Sequence, residues 1–375
     1  MENKAPRVLF VLKYREQTWG DYSLPPCDNY SAPSSPHGYG LSSGLLNSAT
    51  FVKDMLEDHN IAAKLVQVVD NNQIDREVKE YQPTHVIIEA LWVVPDKFDI
   101  LTKLHPKVKW IIRNHSEIPF VSNEGIAMEW LLAYVGKPNV YISNNAPRAQ
   151  KEMKALVTAA YPEMLEGEIE DKIIYLPNYY PVKKHHVTPK KVEYKDGKRI
   201  FDVGCFGAIR PLKNHLEQAV AAIMFAQDMG FYLRFHINAT RIEGNGSPIL
   251  KNLQKLFERM SHCAELVEHG WAPHDKFMEL VEQMDMGLQV SFSETFNIVA
   301  ADFVQSHVPV VGSSEIAWLF SWFCADPTSS AEIVNRMKFV YNCDRLIGFD
   351  FNRYKLKKYV AESRRIWVNH FLHDC

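Results

Sequence analysis

Two carboxylates eight residues apart, Glu294 and Asp302, stand in the segment Ser291-Phe-Ser-Glu294-Thr-Phe-Asn-Ile-Val-Ala-Ala-Asp302. The surrounding residues say how they are carried. A strand closes at the first acid, a helix starts at once, and Val308-Pro-Val-Val-Gly312 opens another buried strand. Asp302 has Ile298 and Val299 at i−4 and i−3, so it shares a partly apolar helix face. An unpartnered carboxylate there is expensive. An acid at a strand end, beside a helix start whose N–H groups lack partners, suits the hydroxyls of a sugar and the charge of a phosphate. The first helical residues, Ile298 and Val299, would offer their N–H groups to that phosphate.

A second segment has matching chemistry. Gly204-Cys-Phe-Gly207-Ala-Ile-Arg210-Pro-Leu-Lys213-Asn214-His215 leaves a strand and enters a helix. Its glycines allow a tight turn, and Arg210 and Lys213 set two cations at a helix start, which fits a diphosphate. No GxxxxGK[ST] loop is present. Taken alone, the two cations read equally as ordinary loop charges; with the Glu294 segment beside them they read as a phosphate grip. His115 follows a strand in Arg113-Asn-His-Ser-Glu117, and is either structural or a group at a strand's C-terminal end that touches a ligand. Trp271 is either a core residue or a stacking surface for a base. There is no Asp-x-Asp metal motif, and Glu168-Ile-Glu170 lies in a charged surface run, so no metal is expected.

The elements needed to hold these residues alternate along the chain. Strands are expected at Arg7–Lys13, Ala63–Val69, His85–Glu89, Val108–Ile112, Val140–Ser143 and Ile173–Leu176. A second set falls at Ile200–Phe206, Tyr232–Ile237, Glu265–Glu268 and Met284–Val290, with helices between. Short apolar runs separated by helical stretches imply parallel strands with crossover helices. The fold class is α/β: two doubly wound domains facing across a cleft. The boundaries are 1–182, a basic linker at 183–199, a second domain at 200–352, and a last helix at 353–375 that crosses back to the first domain. The Tyr14–Ser42 connection, with Trp19, Tyr22, Tyr30 and Tyr39, is long enough to be a binding loop or lid, or a plain excursion.

The 375 residues are 46% apolar and 23% charged, as in a folded globular protein without extended disorder. The first apolar run, Val8 to Leu12, is too short for a signal peptide, and no stretch matches a membrane span. Six scattered cysteines without CxxC or Cys/His spacing read as reduced thiols, so a cytoplasmic location is expected. The net charge of −3 conceals two basic stretches, each near +5 by residue count, at 183–199 and 353–365. Lys183, Lys184, Lys190 and Lys191 mark the first; Lys357, Lys358, Arg364 and Arg365 mark the second. They are solvated faces or the footprint of an anionic partner.

Gly207…Arg210-x-x-Lys213-Asn214, Gly270 ahead of Pro273, and Glu294-x7-Asp302 followed by Pro309-Val-Val together resemble the retaining GT-B glycosyltransferases of family 4. The resemblance implies two Rossmann-like domains, the first binding the acceptor and the second the nucleotide sugar. Arg210 and Lys213 would grip the donor diphosphate, Glu294 would meet the donor sugar, and Asp302 the ribose. His115 would contact the reacting sugar, and Gly44 would let the phosphates approach the first domain. Here Asp302 replaces the family's second Glu and is one methylene shorter. The implied co-substrate is a nucleotide-diphosphate sugar, expected to be a UDP-sugar, with no other cofactor and no metal.

The stretches Gly44–Asp70 and Thr84–Leu132 are also similar to glycosyltransferases encoded by bacteriophages, some of which modify hydroxymethylated pyrimidines in viral DNA. DNA is therefore the expected acceptor, in a host cytoplasm, with a glycan, lipid or small molecule as alternatives. A sugar-nucleotide epimerase or hydrolase of the same fold, and a non-catalytic nucleotide-sugar or nucleic-acid binding protein, are the other functional readings.

Overall fold

The computed structural model describes residues 5–14, 43–183, 190–347 and 350–373. The aromatic connection after residue 14, and Lys184, lie outside the described residues. The described chain divides into two compact units. One holds residues 5–14, 43–181 and 359–373; the other holds 182–183, 190–347 and 350–358.

The first unit is built on six parallel strands: β1 (Arg7–Lys13), β2 (Ala62–Val68), β3 (His85–Glu89), β4 (Lys109–Asn114), β5 (Val140–Asn144) and β6 (Ile173–Tyr175). Their spatial order is β2-β1-β3-β4-β5-β6. Successive residues of β1 point to opposite faces, and both faces are buried. Leu9 and Val11 pack with Val86, Ile88, Trp110 and Ile112. Val8 and Phe10 pack with Ile87, Ile111 and residues of the last helix, Trp367 and Phe371. Burial on both faces is why these strands read as continuous apolar runs.

The second unit has β7 (Tyr194–Lys195), β8 (Lys198–Gly204), β9 (Tyr232–Asn238), β10 (Ala264–His269), β11 (Met286–Gln289) and β12 (Val310–Gly312). Five of them are parallel in the order β10-β9-β8-β11-β12, and β7 pairs antiparallel with β8. The chain leaves β8 towards β9 and leaves β11 towards β12, on opposite sides. A crevice therefore opens where β8 and β11 lie side by side, the usual ligand position in such sheets. Both segments singled out by their chemistry, 205–214 and 290–297, follow those two strands.

Residues 190–199, basic enough to suggest a linker, are built onto this second sheet. Tyr194 and Lys195 form a hairpin with Arg199 and Lys198 through a turn in which Asp196 and Gly197 both have positive φ. The last helix, Phe351–His373, contributes to both units. Its buried residues Leu356, Val360, Ser363, Trp367 and Phe371 fall at helical spacing. That thin stripe is hard to see among so many charges. Among the described residues no helix is long and apolar enough to cross a membrane.

Glycine matters most at Gly246, which opens the helix Gly246–Arg259. A Cβ there would lie 2.1 Å from the Ile209 carbonyl oxygen. The close approach holds the 205–214 segment against residues 242–246, where Ile209 also bridges Ile242. Gly246→Ala should destabilise the protein by about 1–3 kcal/mol, because backbone must move. Urea denaturation monitored in the Trp271 region checks this; an unchanged midpoint would contradict it.

Candidate active site

The chain leaves β8 through Gly207, whose φ of +122° favours glycine. Its N–H donates to Asn238 Oδ1 at 3.0 Å, tying the turn to the end of β9. A single 3-10 turn, Pro211–Lys213, follows, and Asn214 at φ 58° directs the chain into the helix His215–Met229. The Asn214 side chain donates to the carbonyls of Val290 (3.1 Å) and Pro327 (2.7 Å). Gln218 links the two segments further, accepting from Val290 N–H at 2.7 Å and donating to the Lys213 carbonyl at 2.8 Å.

This scaffold brings Lys213 onto Glu294. The ammonium donates to Glu294 Oε1, and the two side chains are only 12% and 7% exposed. Phe292 N–H donates to the Leu212 carbonyl at 2.9 Å, so backbone also joins the loops. Asn297 caps the helix Ile298–Gln305 by accepting from Ala300 N–H at 2.9 Å, itself at a positive φ of 56°. The N–H groups of Ile298 and Val299 then sit in the first turn, where no intrahelical acceptor reaches them. Asn297 Nδ2 donates to Gln289 Oε1, and Gln289 donates to the Phe206 carbonyl, which closes the circuit between β8 and β11.

Arg210 pairs with a different acid. It donates to Glu243 Oε2 at 3.1 Å. Glu243 also takes Arg241, whose guanidinium lies 4.9 Å over the Trp271 ring. Burial pushes the Glu243 carboxyl up, but Arg241 and Arg210 outweigh it and hold it below its ordinary value. Trp271 is half-buried with one face against Arg241, and its backbone N–H donates to Thr240 Oγ1 at 3.0 Å. It is therefore not an enclosed core residue.

Asp302 is 1% exposed, and its Oδ1 lies 2.8 Å from His274 Nε2. Burial pulls the His274 ring down, yet the Asp302 carboxylate more than offsets this and leaves its pKa raised. The partner demanded by a carboxylate on this helix face is thus a histidine that spacing alone did not reveal.

Beneath the site is a hub that the sequence pattern also missed. Asp202, in β8, accepts from Arg234 Nε (2.6 Å), His236 Nε2 (2.8 Å) and Lys190. Burial raises the Asp202 carboxyl, while His236, Arg234 and Lys190 together drive it well below the usual carboxylate range. Lys190 also donates to Asp285 at 2.5 Å. This residue was expected to meet an anionic acceptor; its ammonium is instead held by the buried Asp202 and the partly buried Asp285, which removes it from that set. Lys183, Lys191, Lys357, Lys358, Arg364 and Arg365 are exposed, with Arg365 paired to Glu362.

In the first unit, His115 follows β4 and its Nε2 lies 2.5 Å from Glu89 Oε2. A Cβ built on Gly44, at the start of the helix Ser43–Asp58, meets nothing within 4 Å, so packing does not require glycine there. Among the described residues no three His, Cys, Asp or Glu side chains gather as metal ligands.

No family model matches the chain. No curated protein matches it. Solved structures do. The trehalose-6-phosphate phosphatase N-terminal domain of Candida albicans superposes with a TM-score of 0.64 at 10% identity, covering 99% of this chain and 96% of that one. Sucrose-phosphate synthase from Thermosynechococcus elongatus gives 0.61 at 10% identity, covering 98% of each chain. A glycosyltransferase from Rickettsia africae gives 0.56 at 12% identity, over 98% of this chain and 94% of that one. At such identities the likeness concerns architecture. The chain has the fold of the GT-B glycosyltransferases, two Rossmann-like α/β units.

Burial and the nearby cations of the site both act on His215, the first residue of its helix. The ring is buried, neither nitrogen has a hydrogen-bond partner, and burial, then Lys213 and Arg210, push its pKa down to about 3. A histidine lowered in the folded state contributes full stability above its unfolded value of about 6.5. That contribution declines as pH falls from there towards the folded value, by about 1.4 kcal/mol per pH unit. Acid destabilisation should therefore begin near pH 6, above the range where carboxylates titrate. His215→Phe should flatten stability between about pH 6 and 4. Denaturation midpoints with the same pH slope in both proteins would contradict this.

Proposed function

We propose that this protein is an enzyme that transfers a sugar from a nucleotide-diphosphate donor, a UDP-sugar, to a hydroxyl acceptor with retention of configuration. The observation that carries the reading is the Lys213–Glu294 pair, nearly buried where β8 and β11 diverge. A cation suited to a diphosphate and an acid suited to sugar hydroxyls are held together at the sheet's ligand-binding edge. The bond from the sugar's anomeric carbon to the diphosphate oxygen breaks, and a bond to the acceptor oxygen forms on the same face. The acceptor proton passes to the departing diphosphate. Lys213, Arg210 and the N–H groups of Ile298 and Val299 stabilise the charge that develops on it. Glu294 orients the sugar hydroxyls, Asp302 with His274 faces the ribose, and Trp271 offers its ring to the base. His115 occupies the strand-end position that the family uses for contact with the reacting sugar, and we assign it that role. This chemistry runs without a metal, in the cytoplasm.

For the acceptor we infer a hydroxymethylated pyrimidine in phage DNA. The support is the similarity to phage-encoded enzymes and the exposed Lys183, Lys191, Lys357, Lys358 and Arg364, which can contact phosphates. The likeness to sucrose-phosphate synthase and to an α,α-trehalose-phosphate synthase keeps a small sugar acceptor as the second reading.

Kinetics with a panel of UDP-sugars, in excess chelator, test the proposal on DNA carrying 5-hydroxymethylpyrimidines and on sugar phosphates. Glu294→Gln should reduce kcat far more than it weakens UDP binding. Lys213→Ala should weaken UDP by about 1.5–3 kcal/mol through loss of a charge-assisted hydrogen bond. Transfer to sugar phosphates alone would replace the DNA acceptor. UDP affinity unchanged in Lys213→Ala would overturn the donor site itself.

A further inference from the structure

Behind His115 the first unit buries a cluster of polar groups with no part in the transfer chemistry described above. Glu89 ends β3, Arg113 belongs to β4, Asn145 follows β5, and Asn178 lies beyond β6. The side chains of Glu89 and Arg113 are both 0% exposed. Arg113 donates through Nη1 to Glu89 Oε1 at 3.1 Å and through Nη2 to Asn178 Oδ1 at 2.7 Å. Its guanidinium also lies 5.1 Å over the ring of Trp367. The other carboxylate oxygen of Glu89 lies 2.5 Å from His115 Nε2. On the opposite side of the imidazole, Asn145 Nδ2 approaches Nδ1 at 3.4 Å.

These contacts fix where the protons are. Burial pushes the Glu89 carboxyl up, but Arg113 and His115 outweigh it and keep it below its ordinary value. An ionised carboxylate only accepts hydrogen bonds, so the nitrogen facing it must carry a hydrogen. His115 is lowered by burial despite the pull of Glu89, so the ring is neutral at neutral pH and has one N–H to place. That hydrogen goes to Nε2, and Nδ1 keeps its lone pair. The amide hydrogen of Asn145 on the Nδ1 side agrees with this arrangement. A bare Arg113–Glu89 ion pair would not need the second oxygen of Glu89 aimed at the histidine.

We propose that Glu89 is a positioning residue that locks His115 in the Nε2–H tautomer, so that Nδ1 is a fixed acceptor that exchanges its long 3.4 Å contact with the Asn145 amide for a hydroxyl of the bound sugar. Arg113 serves as the counter-charge that keeps Glu89 ionised where both side chains are fully buried. The sugar contact rests on the glycosyl-transfer reading; the tautomer lock does not. Replacing the carboxylate leaves a ring that can turn over or exchange its proton between nitrogens. The loss then falls on turnover more than on nucleotide binding.

The test uses the full chain with 15N-labelled histidine, ring signals assigned by comparison with His115→Gln. Long-range 15N–1H correlation at neutral pH should show His115 with Nε2 protonated and Nδ1 bare, without any ligand. An Nδ1–H tautomer, or an even mixture, in the wild-type protein would overturn the proposal even if no variant folds. In Glu89→Gln the signals should move towards averaging between tautomers; an unchanged pure Nε2–H pattern would equally overturn it. With UDP-glucose as donor probe, Glu89→Gln should lower kcat by roughly tenfold or more with KM nearly unchanged, and Glu89→Asp should recover part of it. Equal losses in Glu89→Gln and Glu89→Asp, with both folded, would reduce Glu89 to a structural ion pair. Absence of turnover in the wild type would count against the transfer reading, while the ring spectra still decide the tautomer.

Discussion

A nearly buried ion pair between Lys213 and Glu294 imposes the order on which the rest of the second unit depends. Two charges removed from water are tolerated only when each has its counterpart, and deleting one of them typically costs about 3–5 kcal/mol. The pair joins segments separated by 81 positions in sequence, so both must be placed accurately. The polar side chains around it do that placing. Asn214, Gln218, Gln289 and Asn297 are all buried; the first three bridge the segment after β8 to β11 or the loop after it, and Asn297 holds Gln289 in place. Left unbonded, each buried amide would be a liability; fully bonded, they make one rigid rim.

The location of that rim follows from topology. Strand order reverses between β8 and β11, so the loops after them part and leave a space that backbone does not fill. Helix starts at His215 and Ile298 bring their N–H groups to the same edge. Burial, with Lys213 and Arg210 nearby, holds the His215 ring neutral at that edge. The Asp202 hub lies under this edge and satisfies Lys190, Arg234 and His236 with one carboxylate. A single acid thus ties the segment entering the sheet to two of its strands.

Much of this was legible from residue order because the strands are short apolar runs buried on both faces, and the acids and cations stand at their ends. Strand positions agree to within two or three residues; β8, for example, starts at Lys198 where apolarity alone suggests Ile200. The polar first residues of β8 pair with the hairpin strand β7, which hydrophobicity does not report. Glu89, His274 and Glu243 were not legible, since each acquires its meaning from a partner 26 to 33 positions away. Lys190 shows the opposite case: a residue that counts as surface charge in a basic run is in fact the counter-ion of the buried Asp202 and the partly buried Asp285. Charge counting cannot separate these; only the register of β8 and the position of Asp285 do. Gly246 was invisible for the same reason, because the atom it makes room for belongs to Ile209.

Under the proposed function the crevice between β8 and β11 takes a diphosphate, with Lys213 and the helix starts as its grip. Titration calorimetry of the wild-type protein with UDP and with UMP measures this most directly. Because the second phosphate supplies the contacts with Lys213 and the N–H groups, UDP should bind at least about tenfold more tightly, a difference of about 1.4 kcal/mol. Equal affinities for UDP and UMP, or no binding of either, would contradict the account.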